Sequence, residues 1–359
     1  MNEASPECPA EESDARDRRG GAGGEAADGQ VAAPNSTAAL QIDPDDLKDP
    51  YVDPHVRLTS VTTSIRDYVY ENGRRYHAYR EGEYLIPNDE KEQDRLDLIH
   101  HVFRLMLGGA LYRAPIPPMV KRVLDMGTGT GIWAIDFADE HPHSTVIGND
   151  LSPIQPVWVP ANCKFIVDDI ESEWLYKPNE AFDFIHGRGL GGAVKDWPRL
   201  YSQIYDNLNP GGWLEMQEYE AWIKSDDDPQ LLNAPFVLQW MNLIDEASAK
   251  FGKRFNIAEN VEQWFKDAGF EDVRDDRYVT PIGTWSLDPK LQEIGLYQLE
   301  QMCDAVESFT LAVLTRILGW AYAECEVLVA NVRRDFRNKK NHLYSVRHFV
   351  YGRKPARIT

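Results

Sequence analysis

Apolar positions recur along the chain with two different periods. Between residues 121 and 220, short apolar runs begin near Val123, Thr145, Lys164, Phe182 and Trp213, separated by segments long enough for crossover helices. Strand alternating with helix predicts an α/β fold, a mostly parallel sheet with helices on both faces whose ligands bind beyond the carboxyl ends of the strands. Upstream, Leu96, Ile99, Phe103 and Leu107 recur at three- and four-residue steps, which predicts an amphipathic helix over 89–107 with that stripe facing a core. Downstream, Phe236, Trp240, Leu243, Ile244 and Ala247 predict a helix over 235–251, and residues 291–336 read as one or two more. Asn72-Gly73, between two tyrosine-bearing stretches, predicts a hairpin-like lid.

The first run of the sheet ends in a glycine turn. Val123-Leu-Asp-Met-Gly-Thr-Gly-Thr-Gly-Ile132 places Asp125 two residues ahead of Gly127, Gly129 and Gly131, with Thr128 inside the turn. A dinucleotide fingerprint would need its third glycine at position 132, which is Ile132. The turn is tighter, and the acid beside it suits a ligand with an ammonium group rather than a pyrophosphate. S-adenosyl-L-methionine is such a ligand. Unpaired amides where the turn enters the helix are expected to offer it donors.

The remaining strand ends supply further candidates. Asp150, with Leu151 after it, either accepts the ribose hydroxyls or caps a helix. Asp168, Asp169 and Ile170 stand where the adenine edge would lie, with Asp169 preferred for the exocyclic amine and Ile170 for the ring. The loop His186-Gly-Arg188-Gly-Leu-Gly-Gly192 lines the reaction centre; His186 is either a general base or a shaper of the pocket, and Arg188 is a cofactor contact. Glu218 and Tyr219 stand behind His186 as catalytic candidates, although a solvated rim fits Glu218 equally. In the entry segment, Tyr68, Tyr70, Tyr76 and Tyr79 either pack on the domain or wall the ligand site; Tyr76 is taken as the cofactor contact among them. The neighbours His100 and His101 point to different faces, which favours a surface or capping role over metal binding. Asp226-Asp-Asp228 reads as a solvated acidic loop, and no metal site is expected.

Composition narrows the partners. The net charge of −20, with no long basic stripe, disfavours nucleic acid. Cys8, Cys163, Cys303 and Cys325 stand far apart and read as free thiols of a reducing compartment. No secretory signal or membrane span is expected, so the Asn35 sequon goes unused and the protein is expected in the cytoplasm or nucleus. Residues 1–48 are rich in Ala, Gly, Pro, Asp and Glu and read as a disordered acidic tail. Residues 49–120 form the lid and first helix, and 121–359 the cofactor domain with inserts at about 228–255 and 288–338. Arg333, Arg334, Arg337, Lys339 and Lys340 are either a nuclear localisation patch or the basic end of a helix, the simpler reading.

Residues 121–220 resemble the seven-stranded, Rossmann-like S-adenosylmethionine-dependent methyltransferases, and residues 261–273 and 342–354 look like that fold's last helix with strand six, and strand seven. More specifically, Asn72-Gly-Arg-Arg-Tyr-His-Ala-Tyr79, residues 85–98, Gly127-Thr-Gly-Thr-Gly-Ile-Trp-Ala-Ile-Asp136, Leu151-Ser-Pro-Ile-Gln-Pro156 and Gly211-Gly-Trp-Leu-Glu-Met-Gln-Glu218 resemble the LaeA-like methyltransferases of filamentous fungi. Met126 and Gly187 depart mildly from its common residues. The resemblance implies S-adenosyl-L-methionine as cofactor and a link to secondary metabolism. It implies either methyl transfer to a small-molecule or peptide acceptor, or regulation of secondary-metabolite genes through protein partners.

Overall fold

The computed structural model describes residues 68–356. The acidic tail, its sequon, Cys8 and the start of the lid lie outside the described residues. The sheet has seven strands: β3 (Arg122–Met126), β4 (Thr145–Asp150), β5 (Cys163–Val167), β6 (Phe182–Arg188), β7 (Leu208–Tyr219), β8 (Glu271–Pro281) and β9 (Tyr344–Arg353). Their spatial order is β5-β4-β3-β6-β7-β9-β8. The pairs from β5 to β7 are parallel, and β9 runs antiparallel between β7 and β8. The order reverses between β3 and its neighbours, so the crevice for a ligand opens at the carboxyl ends of β3, β4 and β6.

Helices cover both faces. Trp133, Ala134, Phe137 and Ala138 of α2 (Ile132–Glu140) pack with Val123, Val146 and Phe184 on one side. Leu200, Tyr201 and Ile204 of α3 (Trp197–Asn207), with Val261 and Phe265 of α5 (Ala258–Asp267), pack with Leu124, Ile185 and Leu214 on the other. The three glycines of the turn all have positive φ, 60° at Gly127, 58° at Gly129 and 82° at Gly131. Gly131 is also the N-cap of α2, and a Cβ there would sit 2.4 Å from Phe165. The close approach of β5 thus requires glycine at this corner.

A second apolar cluster lies over the strand ends. It is built from α4 (Pro235–Phe251), α6 (Pro289–Ala312), which runs into a π-helical turn over Val313–Leu318, and α7 (Tyr322–Arg337). The segment read as one or two helices is therefore two. The hairpin β1 (Val69–Glu71) and β2 (Arg74–Tyr76) joins this cluster. Asn72 and Gly73 both have positive φ, as the two-residue turn requires. Arg74 then reaches Asp89, the N-cap of α1 (Glu90–Met106), through Nε at 2.5 Å and Nη2 at 2.8 Å, while Asp89 accepts the Glu92 amide at 3.0 Å. One carboxylate caps a helix and anchors the hairpin, and the Arg74 guanidinium holds it below the usual carboxylate range despite burial.

Cys163, Cys303 and Cys325 are buried and free. No helix of the described residues is long and apolar enough to cross a membrane. The basic cluster falls in the last turn of α7 and just beyond it, and Arg333 is tied to α6 through the Cys303 carbonyl and Glu307.

Candidate active site

The glycine turn opens into a cleft of about 1410 Å3 counted out to its mouth. Its floor is Asp125, Gly127, Thr128, Gly129 and Thr130, with His186 and Arg188 at the end of β6. Tyr219 and Trp222 follow β7, and Trp240, Met241, Ile244, Met302 and Phe309 come from the inserted helices. Leu96, Ile99 and Phe103 of α1 form another wall, so the stripe expected to face a core faces this cleft instead. Arg95 lines the cleft beside them; it is ion-paired with Glu92 at 2.6 Å, and the pair is bound to Ser308 and Gln301 of α6. An apolar stripe marks a water-excluding surface, and a binding cleft is one.

Asp125 is the hub of the floor. Its Oδ1 accepts from His186 Nδ1 at 2.7 Å and its Oδ2 from the Thr128 hydroxyl at 2.5 Å. His186 has no exposed surface and lies flat on the Trp133 indole. Burial holds its imidazole below the ordinary histidine pKa, and the ring borders the cleft while exposing no surface to solvent. In this arrangement His186 fixes the orientation of Asp125. Glu218 is equally enclosed and accepts the Leu190 amide at 2.8 Å and, more weakly, that of Gly191 at 3.4 Å. It shapes the loop after β6 from below, and burial pushes its carboxyl up to about 8. Of the three catalytic candidates, His186 and Tyr219 line the cleft, and Tyr219 is the half-buried one.

The cofactor candidates divide in the same way. Asp150 accepts the Gly129 amide at 2.9 Å and the Ser152 amide at 2.8 Å, so the acid after β4 holds the turn directly; burial pushes it up to about 6. Leu151 follows it at the strand end and is half-buried. The Thr128 amide is bound to the Asn149 carbonyl. Two amides expected to meet the ligand are thus engaged within the protein, and the nearby cation is Arg188. Its Nη1 donates to His100 Nδ1 at 3.1 Å, and the other nitrogen of His100 donates to Asp136 at 3.0 Å. His100 is buried between α1, α2 and Arg188, not on the surface as expected, whereas His101 is exposed against Tyr297.

Asp169 pairs with Arg80 at 2.5 Å, which also reaches Ser172 at 2.7 Å. Ile170 is buried in the core below and does not line the cleft. Tyr76 is corrected too: it packs among Leu85 and Ile86 with the Arg316 guanidinium 4.7 Å above its ring, away from the cleft. Tyr84, which sequence reasoning passed over, takes the lining position. Cofactor and floor fit each other: the turn offers bare backbone at Gly129, an acid for an ammonium at Asp125 and a cation for a carboxylate at Arg188. Apolar walls continue beyond.

A parallel sheet with one antiparallel strand slipped between β7 and β8, and an acid-headed glycine turn at its switch point, defines the class of Rossmann-like methyltransferases. A family model described as a methyltransferase domain matches residues 98–275. "Methyltransferase pytC" of Aspergillus terreus is 42% identical over 306 residues, covering 85% of this chain and 93% of that one. "Secondary metabolism regulator laeA" of Aspergillus fumigatus is 35% identical over 307 residues, covering 84% and 81%. "Protein-methionine methyltransferase laeA" of Emericella nidulans is 34% identical over 290 residues, covering 80% and 76%. The chain belongs to the LaeA-like family of fungal S-adenosylmethionine-dependent methyltransferases.

Proposed function

We propose that the protein transfers the methyl group of S-adenosyl-L-methionine to a small-molecule or peptide acceptor of secondary metabolism, seated between the ends of β6, β7 and β9 and the helices α4 and α6. The observation that carries this reading is the continuity of the cleft: the glycine turn and an apolar chamber of inserted helices share one cavity. Asp125, Gly127, Thr128, Gly129 and Gly131 would hold the amino-acid end, with Arg188 on its carboxylate. Asp150 and Leu151 would take the ribose, and Asp169 the adenine edge once Arg80 yields.

When bound, the sulfonium cofactor supplies an activated methyl group for in-line displacement. The chain's own part is to position and dry the acceptor, since reacting atoms held about 3–3.5 Å apart and in line need little else. Trp222, Met241 and Phe309 exclude water, and Tyr219 is the polar side chain placed to orient a nucleophile.

A second reading is supported by the name "secondary metabolism regulator" carried by relatives: a cofactor-binding protein that acts through protein partners in the nucleus. Deleting the gene and profiling metabolites separates the two. Accumulation of one desmethyl compound in place of one product is expected. Broad loss across unrelated compounds, with no desmethyl precursor, overturns the enzyme-of-one-acceptor reading in favour of the regulator.

A further inference from the structure

Three arginines are buried among the described residues, Arg74, Arg95 and Arg347. Arg74 is paired with Asp89 and Arg95 with Glu92. Arg347 has no such partner: no carboxylate of the described residues lies within 4.0 Å of it. Its Nη2 donates to Gln298 Oε1 at 2.7 Å, its Nε has no hydrogen-bond partner, and its guanidinium lies 4.6 Å from the Phe103 ring centre. A buried cation without a counter-ion is costly unless a ligand supplies one. Burial, helped by the charges of Arg188 and Arg95, drives this guanidinium down to about 9.

Arg347 also lines the cleft, with Ser345 two residues before it on the same face of β9 and Gln298 opposite on α6. Gln298 ties the two together through Nε2 to the Ser345 hydroxyl at 3.4 Å. A free Nε beside a terminal nitrogen is the edge of a guanidinium that grips a carboxylate with two parallel hydrogen bonds. Phe103, Met302 and Phe309 line the same cleft, which also holds Arg95 and Arg188. Arg95 is balanced by Glu92 and Arg188 stands beside the glycine turn, so Arg347 is the cation left to balance one further negative charge.

We propose that the methyl acceptor is an apolar small molecule bearing a single carboxylate, which Arg347 holds with Gln298 at its side. The proposal rests on reading the cleft as the acceptor chamber and names the class of molecule that enters it. The cofactor carries a carboxylate as well, so two sources of the same chemistry must be told apart. Arg188 stands on β6, next to the strand of the glycine turn, whereas Arg347 stands on β9, two strands further out; their guanidiniums lie 5.0 Å and 4.6 Å from the centre of the same Phe103 ring. The nearer arginine suits the cofactor and the farther one the acceptor.

The test is calorimetry on the full chain loaded with S-adenosylhomocysteine, titrated with indole-3-propionate and, separately, with its neutral amide. The acid is expected to bind at least about tenfold more tightly than the amide. In Arg347→Met that preference disappears, while affinity for S-adenosylhomocysteine stays within about threefold; Arg347→Lys, which keeps the charge, retains a preference for the acid. Gln298→Leu leaves the buried arginine in place and weakens acid binding without reversing the order, so the proposal does not hang on the folding of one variant. Equal affinity for acid and amide, or binding of neither, overturns the proposal. Loss of S-adenosylhomocysteine affinity in a folded Arg347→Met, checked by its melting curve, also overturns it by assigning the arginine to the cofactor's own carboxylate. Failure of the unaltered protein to take up S-adenosylhomocysteine removes the cofactor reading beneath it, a distinguishable result.

Discussion

The imidazole of His186 and the indole of Trp133 are stacked with centroids 3.8 Å apart and planes 3° from parallel. Trp133 is itself fixed by its indole N–H to the Leu111 carbonyl at 3.0 Å. The stack holds the histidine edge toward Asp125, so the acid under the glycine turn keeps one orientation whether or not a ligand is near.

His186→Leu should therefore act on binding. It removes the donor to Asp125 Oδ1, and affinity for S-adenosylhomocysteine is expected to fall by roughly tenfold, consistent with the loss of one charge-assisted hydrogen bond. Calorimetry reads the change. A general base would behave differently, with cofactor affinity unmoved and only turnover lost.

The glycines of the turn should separate stability from binding. Gly131→Ala forces a Cβ against the Phe165 ring at positive φ and should cost roughly 2–4 kcal/mol in a denaturation curve. At Gly129 the nearest atom to a new Cβ is Leu96 Cδ1, 3.4 Å away across the cleft. Gly129→Ala should lose only about 1–2 kcal/mol of stability and yet more than about tenfold in cofactor affinity, because the methyl group occupies the ligand's floor.

Asp150→Ala withdraws the acceptor for the Gly129 and Ser152 amides together. Cofactor affinity should drop by about 10- to 100-fold, from loss of the ribose acceptor and loosening of the turn. Retained affinity in this variant means that the ribose site lies elsewhere.

Glu218 and Asp150 should take stability away as pH rises from about 5 to about 8, against the buried histidines His77, His100 and His186, whose lowered pKa adds stability as pH rises toward about 6.5. Glu218 and Asp150 are held by burial to about 8 and about 6 in the folded chain, above their unfolded values near 4, so at these two groups the folded state binds more protons across that window. His348 adds to the slope at its upper end. Its two nitrogens face Asp275 at 2.9 Å and Glu220 at 3.3 Å, and Asp275 is the larger of the influences that raise its pKa against burial, so its stabilisation is lost as pH climbs past the ordinary histidine range. Melting temperatures measured every half unit should decline from about pH 6.5 to about 8, and Glu218→Gln should flatten that decline.

Asp89→Ala breaks a helix cap and leaves the Arg74 guanidinium, 6% exposed, without its nearest carboxylate. A loss of about 2–4 kcal/mol is expected. Limited proteolysis should then cut first near Asn72-Gly73, because the hairpin has lost its anchor.

Periodicity made much of this fold legible. The runs at Val123, Thr145, Lys164, Phe182 and Trp213 are strands because an apolar run of that length between crossover helices has little else to be, and Asn72-Gly73 allows few turns other than the one it makes. The acid-headed glycine turn pointed to the cofactor for the same reason: its residue types are dictated by backbone geometry. Leu96, Ile99 and Phe103 misled because the pattern reports which side avoids water, not whether that side meets a core or a cleft. Tyr76 and Ile170 misled because local sequence does not reveal which of several neighbouring apolar residues turns inward. Arg347 was passed over for a topological reason. In a parallel sheet ligand contacts follow each strand, but β9 runs the other way and presents its beginning to the cleft.

That reversed strand also bears on how the chain is made. β8 has no sheet neighbour except β9, and α6 and α7 lie between the two in sequence. During synthesis β8 must wait unpaired, with some sixty mostly helical residues behind it, until β9 emerges and slides into the gap beside β7. The wall of the cleft is completed in the same event, since Ser345 and Arg347 arrive on that strand. A slow or interrupted finish would leave a competent cofactor turn beneath an open, adhesive apolar hollow, the state in which a chaperone has most to hold.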